Sequence, residues 1–518
     1  MKQLTGLDTS YLNMETSTQF GHVNSITILD PSTMVGGDPY ATFKRTVEER
    51  LHLLEIYRRK LVSDPLGLDN PYWVDDPDLD LEFHIRELAL PPPGDDAQLA
   101  EQVARLAGRP LDRSRPLWEW YVISGLEGGL VGLFTKLHHA TIDGASGVEL
   151  LHVLLDTEPE GKVIEPPSEP WVPEAMPSQA DLLRRALWAY VMRPRKVLQL
   201  QARMLRATGD MTGNPAFRRI AADLARRPGS RRDASESSVP TRLAPSTPFN
   251  RTITAHRRFA FRTLRLSDAQ IVKRAFGVTV NDVVMALCGS VLRRYLLGHQ
   301  ALPDEALIAM VPVSVRTGDE SDTYSNRVSG VTSSLHTDLE DPADRLLAIH
   351  RSMAAAKELQ RAIPADVLTD MTQFTPPALA AQAARLASRI KIADRMKLPF
   401  NLIISNVPGP RQPLYLSGGV VKHYYPVSGV ADGMGLNMTV QSYLDNLDFG
   451  LVACRELVPD LWDLCDMLPE AMDDLLSAAA SVSGATPVKK AAKATASRTP
   501  RAPKVAKAAR APRAAERG

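Results

Sequence analysis

Residues 129–139, GLVGLFTKLHH, form a largely apolar run that ends on two adjacent histidines, and a short turn carrying Asp143 and Gly144 leads from it into SGVELLHVLLD at 146–156. The first string reads as a strand rising to a loop and the second as an amphipathic helix, which confines this part of the chain to an α/β unit with two imidazoles at a strand end. Successive strand residues point to opposite faces, so His138 and His139 divide the work: one ring faces a cavity and the other packs inward. For the same reason chelation of one metal by both rings is strained, and no metal site is expected. A neutral imidazole, with an ordinary pKa of about 6.5, suits removal of a proton from a hydroxyl near pH 7. Asp143 orients that ring or fixes the loop from further away, and Gly144 permits the tight exit into the helix. The same string also reads as a buried histidine pair satisfied by backbone, with Asp143 capping the helix. The glycine-bearing turn between strand and helix favours function.

The rest of residues 1–156 alternates in the same way. GHVNSITILD (21–30) reads as a strand, and residues 41–61 have helical spacing with Phe43, Val47, Leu51, Leu54 and Ile56 on one broad face. Asp95 and Asp96 precede AQLAEQVARLAG and suit a helix start. Residues 157–250 break the pattern: a Pro- and Glu-rich stretch, a helical segment at 181–209 around Pro194, and a polar loop together read as a linker. A second α/β unit follows at 251–482. It has strands at HRRFAFRTL, ALIAMVPVSVR, VSGVTSSLHT and LNMTVQSY, a helix at LSDAQIVKRAFG capped by Ser267, and a longer helix at NDVVMALCGSVLRRYLLG. The expected class is α/β, with two similar halves and a terminal tail at 483–518.

Three cysteines in 518 residues exclude a disulfide scaffold and fit a reducing compartment. No run approaches the ~18 to 20 apolar residues of a membrane helix, and MKQLTGLDTSYL has no apolar signal core, so a cytoplasmic chain, soluble or peripheral, is expected. The strings G-x-S-x-G, G-x-x-x-x-G-K-[ST], G-x-G-x-x-G and paired C-x-x-C are not found, which argues against serine hydrolase, nucleotide hydrolase, dinucleotide dehydrogenase and zinc-ribbon readings.

His138-His139-Ala140-Thr141-Ile142-Asp143-Gly144 resembles the H-H-x-x-x-D-G motif of the chloramphenicol-acetyltransferase-like acyltransferases, which include peptide-synthetase condensation domains. Further strings in order resemble one branch, the bacterial wax ester synthase/diacylglycerol acyltransferase family: Arg115-Pro116-Leu117-Trp118, Thr279-Val280-Asn281-Asp282, Val311 to Arg316, Ser405-Asn406-Val407-Pro408-Gly409-Pro410, and Leu436 to Tyr443. The match runs from about residue 5 to 475. It implies two sheet-and-helix subdomains with a tunnel at their interface, where fatty acyl-CoA and diacylglycerol or a long-chain alcohol meet at the second histidine. On this resemblance His139 is the general base. It activates the acceptor hydroxyl for direct attack on the thioester, with acyl-CoA as co-substrate, no acyl-enzyme and no cofactor. Asp143 is then structural, with Arg316 as its candidate partner. Asn281 positions the acyl group or stabilises the oxyanion, and reads equally as an N-cap. Asp282 reads as a substrate contact or a first-turn acid, Leu117 and Trp118 as tunnel wall or core, and Asn406 and Gly409 as substrate contacts or an ordinary turn. A catalytically silent lipid-binding or nucleic-acid-tethered protein on the same fold is the rival, and an acyltransferase with a non-lipid acceptor a third reading.

The formal charge of +1 hides a division: residues 486–518 hold ten Lys/Arg and one Glu, a net of +9, leaving −8 on the rest. Ala- and Pro-rich and lacking aromatics, the tail is expected to be disordered and to attract anionic lipid or nucleic acid without sequence preference. The basic 181–209 segment carries Trp188 and Tyr190 among its arginines, a pattern that suits an anionic lipid interface. The expected location is therefore peripheral, at the inner face of a membrane or on lipid droplets.

Overall fold

The computed structural model describes residues 1–141, 153–189, 191, 243–314, 328–362 and 377–482. Its first sheet is built around β7 (Val131–His138), buried at every position, which is why the string reads as nearly unbroken apolar text. Antiparallel neighbours lie on both sides: β2 (His22–Asp30) with His22 opposite His138, and β6 (Trp118–Ser124) with Trp118 opposite Leu137. Outside β6 runs β5 (Ile85–Ala89), parallel to it. Outside β2 lie β13 (Gly419–Val427) and the edge strand β12 (Tyr415–Leu416). The second sheet has the order β10 (Val328–Ser334), β9 (Ile308–Ser314), β11 (Leu402–Val407), β14 (Leu436–Tyr443), β15 (Asn446–Cys454) and β8 (Arg257–Arg265). A small sheet joins β1 (Lys2–Gln3), β4 (Tyr72–Asp75) and β3 (Arg59–Val62).

In the first half, α1 (Gly6–Asn13), α2 (Pro39–Arg50), the single turn α3 (Leu81–His84) and α4 (Asp96–Ala107) surround the sheet. The side chain of Asp95 accepts from Gln98 N–H while Gln98 reaches back, closing a capping box at the start of α4. In the second half come α5 (Leu266–Phe276), α6 (Val280–Gly298), α7 (Pro342–Ala362), α8 (Pro377–Arg389), α9 (Leu461–Asp466) and α10 (Leu468–Val482). Apolar almost all round, α6 is the central core helix, with every residue from Asp282 to Leu292 buried.

Three expectations are corrected. The helix read over 41–61 ends at Arg50, and Arg59–Val62 is a strand. The buried Arg50 guanidinium donates to the carbonyls of Val153 and Leu154 and pairs with Asp156 at 2.8 Å, which pins the helix end. Pairing with β4 then overrides the local helical preference. Secondly, α5 is not capped by Ser267. Asp445, in the β14–β15 turn, accepts from both Ser267 N–H (2.8 Å) and its hydroxyl (3.0 Å). Thirdly, the boundary at 250 does not separate the sheets, because β12 and β13 return to the first one. The core follows suit: Leu99 and Val103 of α4 share one cluster with Phe259, Phe261 and Val452 of the second sheet. Among the described residues no single helix is long and apolar enough to cross a membrane; α5 and α6 pass that test only as a pair bent by 104°. The expected tail, the 146–152 part of the first-half helix, Tyr190 and residues 192–209 lie outside the described residues.

The sheets meet where β13 crosses β15. A Cβ built on Gly450 would lie 1.8 Å from the Pro426 carbonyl oxygen, so no side chain fits there. Gly450→Ala is expected to cost about 3 kcal/mol or more, read as a fall in the thermal unfolding midpoint. An unchanged midpoint would show that the strands do not meet this closely.

Candidate active site

At the end of β7 the two imidazoles part as strand alternation requires. His138 is 1 % exposed. Its Nδ1 accepts from Ala140 N–H at 3.0 Å, so that nitrogen carries a lone pair, and the proton of the neutral ring belongs on Nε2. Nε2 lies 3.2 Å from Glu15 Oε1. The ring therefore has no spare lone pair to act as a base. Thr141 closes the turn, donating through both N–H (2.9 Å) and hydroxyl (2.6 Å) to the His138 carbonyl. His139 is half-buried, and its ring lies flat on Tyr11, centroids 4.2 Å apart and planes within 2°. Its backbone N–H donates to the Gly21 carbonyl at 2.6 Å.

Glu15 gathers this corner. Its Oε1 accepts from Gly21 N–H at 2.8 Å and faces both His138 and, at 3.7 Å, His22 Nε2, while Oε2 pairs with Arg113 at 2.5 Å. Burial alone would raise the Glu15 carboxyl, but the facing His138 Nε2, the charge of Arg113 and the Gly21 N–H outweigh it and hold the group well below its ordinary range. For His22, burial comes first and Lys136 second in lowering its pKa, which keeps that ring neutral. Lys136 itself is pushed down to about 8 by burial, against the opposing pull of Glu119. Its ammonium donates to the carbonyls of Leu106, in the last turn of α4, and of Arg109 just beyond it. A cavity of about 430 Å³ opens beside Glu15, lined by Thr16, Ser17, Arg113 and, from α8, Arg385, Ser388 and Arg389.

The other expected residues fall in three groups. Asn281 and Asn406 line a larger cavity of about 600 Å³ between α5, α6 and the second sheet, with Lys273, Arg274, Lys357 and Arg411 on its walls. Asn406 Nδ2 lies 3.5 Å from Asn281 Oδ1. Asn281 is not the N-cap. Thr279 is, in a capping box with Asp282, and Asn281 is the second helical residue. Asp282 is 2 % exposed, its carboxylate occupied by Thr279 N–H and, at 2.7 Å, by His350. Leu117 and Trp118 are core residues, each 1 % exposed, with Trp118 Nε1 donating to the Tyr57 carbonyl. Gly409 sits tight against the Ser442 carbonyl and donates its N–H to the Ser442 hydroxyl at 3.1 Å. Asp143, Gly144 and Arg316 lie outside the described residues. Glu15, Tyr11, Gly21 and Arg113 carry no motif of their own and emerge only from the contacts.

Among the described residues no cluster of three or more His, Cys, Asp or Glu is placed to hold a metal ion. Cys288, Cys454 and Cys465 are buried, and burial pushes the thiols of Cys288 and Cys465 up to about 12. N-ethylmaleimide is expected to leave turnover of the folded enzyme unchanged, with unlabelled protein by intact mass. Rapid inactivation with one adduct would indicate an exposed, working thiol. Glu15 adds a pH dependence. Its folded-state carboxyl sits below the ordinary 4.5, so its stabilising contribution is present above that pH and drains away as the pH falls further. Chemical denaturation from pH 7 to pH 3 should show wild type losing stability faster than Glu15→Gln below about pH 4.5; parallel losses would refute the buried ionised carboxylate.

Comparison with known proteins matches residues 4–284 to a model described as the wax ester synthase/diacylglycerol acyltransferase catalytic domain, and residues 324–476 to the WS/DGAT C-terminal domain. A Mycobacterium tuberculosis protein provisionally named a diacylglycerol O-acyltransferase is 36% identical over 485 residues, covering 92% of this chain and 91% of its own. Another from the same organism, with the same provisional name, is 34% identical over 495 residues, covering 95% and 100%. Among solved structures, the wax ester synthase/diacylglycerol acyltransferase from Marinobacter aquaeolei VT8 superposes with a TM-score of 0.64 at 28% identity, over 92% of this chain and 100% of that one. The first condensation domain of the calcium-dependent antibiotic synthetase has the same fold at a TM-score of 0.52 and 15% identity, over 94% and 99%.

Proposed function

Because this chain belongs to the wax ester synthase/diacylglycerol acyltransferase family, we propose that it transfers a fatty acyl group from acyl-CoA to diacylglycerol, and to long-chain alcohols, with His139 as the base. The observation that carries the assignment of roles is the contrast between the rings: His138 is buried, with Nδ1 accepting from Ala140 N–H and Nε2 facing Glu15 at 3.2 Å, whereas His139 is partly accessible and stacked on Tyr11. His139 takes the hydroxyl proton as the acceptor oxygen attacks the thioester carbon. The tetrahedral intermediate collapses with cleavage of the C–S bond, and the imidazolium returns its proton to the departing thiolate. An ester and free CoA result. No cofactor enters the scheme, and no covalent enzyme intermediate is formed.

The side-chain amide nitrogen of Asn281 is buried without a hydrogen-bond partner among the described residues, and the residue borders the larger cavity. That supports a donor role toward a substrate carbonyl. The family resemblance assigns Asp143 a structural role with Arg316 as its candidate partner, and both lie outside the described residues. With palmitoyl-CoA and diacylglycerol, monoacylglycerol or hexadecanol as acceptors, His139→Ala is expected to lose at least about 10³-fold in CoA release with an unchanged circular dichroism spectrum. A folded, active His139→Ala enzyme would refute the assignment. Turnover only with acceptors other than these would leave the base and change the substrate.

Contact with a lipid surface is the finer part of the proposal, on a bilayer face or a lipid droplet. Residues 179–189 are helical, with Leu182 and Ala186 buried against the body. Trp188, at 69% exposure, and Leu187 and Val191 face outward beside Arg184 and Arg185. An outward apolar stripe flanked by cations suits an anionic interface. Co-sedimentation with vesicles containing anionic phospholipid should fall about tenfold in Leu187→Ser/Trp188→Ser, with turnover on a short, water-soluble alcohol retained. Undiminished sedimentation would remove this segment from the interface; the basic tail is then the remaining candidate for contact with anionic lipid or nucleic acid.

A further inference from the structure

The corner occupied by Glu15 is not part of any motif, yet it touches both histidines of the pair by different routes. Through one oxygen, Oε1, it faces the Nε2 of His138 at 3.2 Å and accepts the Gly21 N–H at 2.8 Å. Gly21 in turn offers its carbonyl to the His139 N–H at 2.6 Å, so a single residue links the carboxylate to the backbone of His139. The other oxygen is occupied by Arg113, whose guanidinium also donates to the Leu12 carbonyl at 2.7 Å, one residue beyond the Tyr11 that stacks on His139. Glu15 itself is only 13% exposed.

The space around this arrangement is tight. A Cβ at Gly21 would stand 3.0 Å from His138 Nε2, 3.2 Å from its Cε1 and 3.2 Å from the Tyr11 carbonyl, so any side chain here would press on the His138 ring and on the backbone of Tyr11. The neighbouring His22, 3.7 Å away, is buried and neutral and does not compete for the carboxylate charge.

We infer that Glu15 is a positioning residue for the reaction: its carboxylate holds His138 in the Nε2-protonated form and, through Gly21, sets where His139 sits. This rests on the reading of His139 as base. A carboxylate is required because donors meet both of its oxygens: Gly21 N–H and His138 at Oε1, Arg113 at Oε2. An amide in its place sets its own N–H₂ either against the Arg113 guanidinium or, turned round, against Gly21 N–H and His138. Either orientation puts donor against donor, and the shift that relieves it moves the contacts that position His138 and Gly21.

The experiment measures kcat and KM for palmitoyl-CoA in Glu15→Gln and Glu15→Asp, each also in a His138→Gln background, with His139→Ala in parallel and circular dichroism and unfolding midpoints on every variant. Glu15→Gln is expected to lower kcat about 10- to 100-fold with KM changed less than about twofold, and Glu15→Asp to recover part of the loss because it restores the charge. In the His138→Gln background the further cost of Glu15→Gln should shrink to about threefold or less, since two groups acting as one unit are not additive. A folded Glu15→Gln enzyme with wild-type kcat, or a loss of the same size with and without His138, would overturn the clamp. If His139→Ala is inactive in that case, the base assignment stands alone; if His139→Ala turns over, both fall.

Discussion

The register of β2 against β7 is the constraint on which the site depends. With His22 opposite His138, the residue before β2 is Gly21, and its carbonyl meets the His139 N–H as its own N–H meets Glu15. A slip of one residue would turn every side chain of β7 to the other face, burying His139 and exposing His138. Packing opposes that slip: Leu133 and Leu137 fill one core cluster and Phe134 another, so a shift would press side chains of the wrong shape into each. Packing of ordinary apolar residues thus decides which imidazole is available for chemistry.

A second constraint couples the halves. Strand β13 comes from the end of the chain, yet it hydrogen-bonds to β2 and crosses β15 at Gly450, and α4 of the first half packs on β8 of the second. The helix α8 reaches back too, its Ala378 N–H donating to the Gly67 carbonyl and its Arg385 and Arg389 forming one wall of the cavity beside Glu15. Residues from both halves therefore line the cavity beside Glu15. The excess of arginine over acid around that cavity and of lysine and arginine around the larger one favours ligands that carry phosphate.

What could be read from the sequence follows from how local each signal is. Strand β14 at Leu436–Tyr443 and the long helix α6 are legible because periodicity and burial are written within a few residues of each other. The split between His138 and His139 follows from strand alternation alone. By contrast, Arg59–Val62 is a strand only because β4 lies beside it, and the cap of α5 is supplied by Asp445, far along the chain. Strand β13 has no place in the sequence reading, and its membership of the first sheet depends on β2, about 400 residues away in sequence. Asn281 was open to reading as a cap, whereas the Thr279-x-x-Asp282 spacing, one carbon short of the usual Ser/Thr-x-x-Glu box, marks the true one. Glu15 has no local signature, and its importance comes entirely from what the fold brings to it.

On the proposed scheme the work divides between a buried ring, held by Ala140 N–H at Nδ1 with Nε2 facing Glu15, and a stacked, partly accessible ring to which the proton transfer is assigned. Chemical rescue tests that division most directly. Imidazole added to His139→Gly should restore CoA release from palmitoyl-CoA and diacylglycerol in a saturable manner, because a diffusible base replaces the missing one, while His138→Gly should not respond. Rescue of His138→Gly with none for His139→Gly would contradict the assignment and place the base on the buried ring.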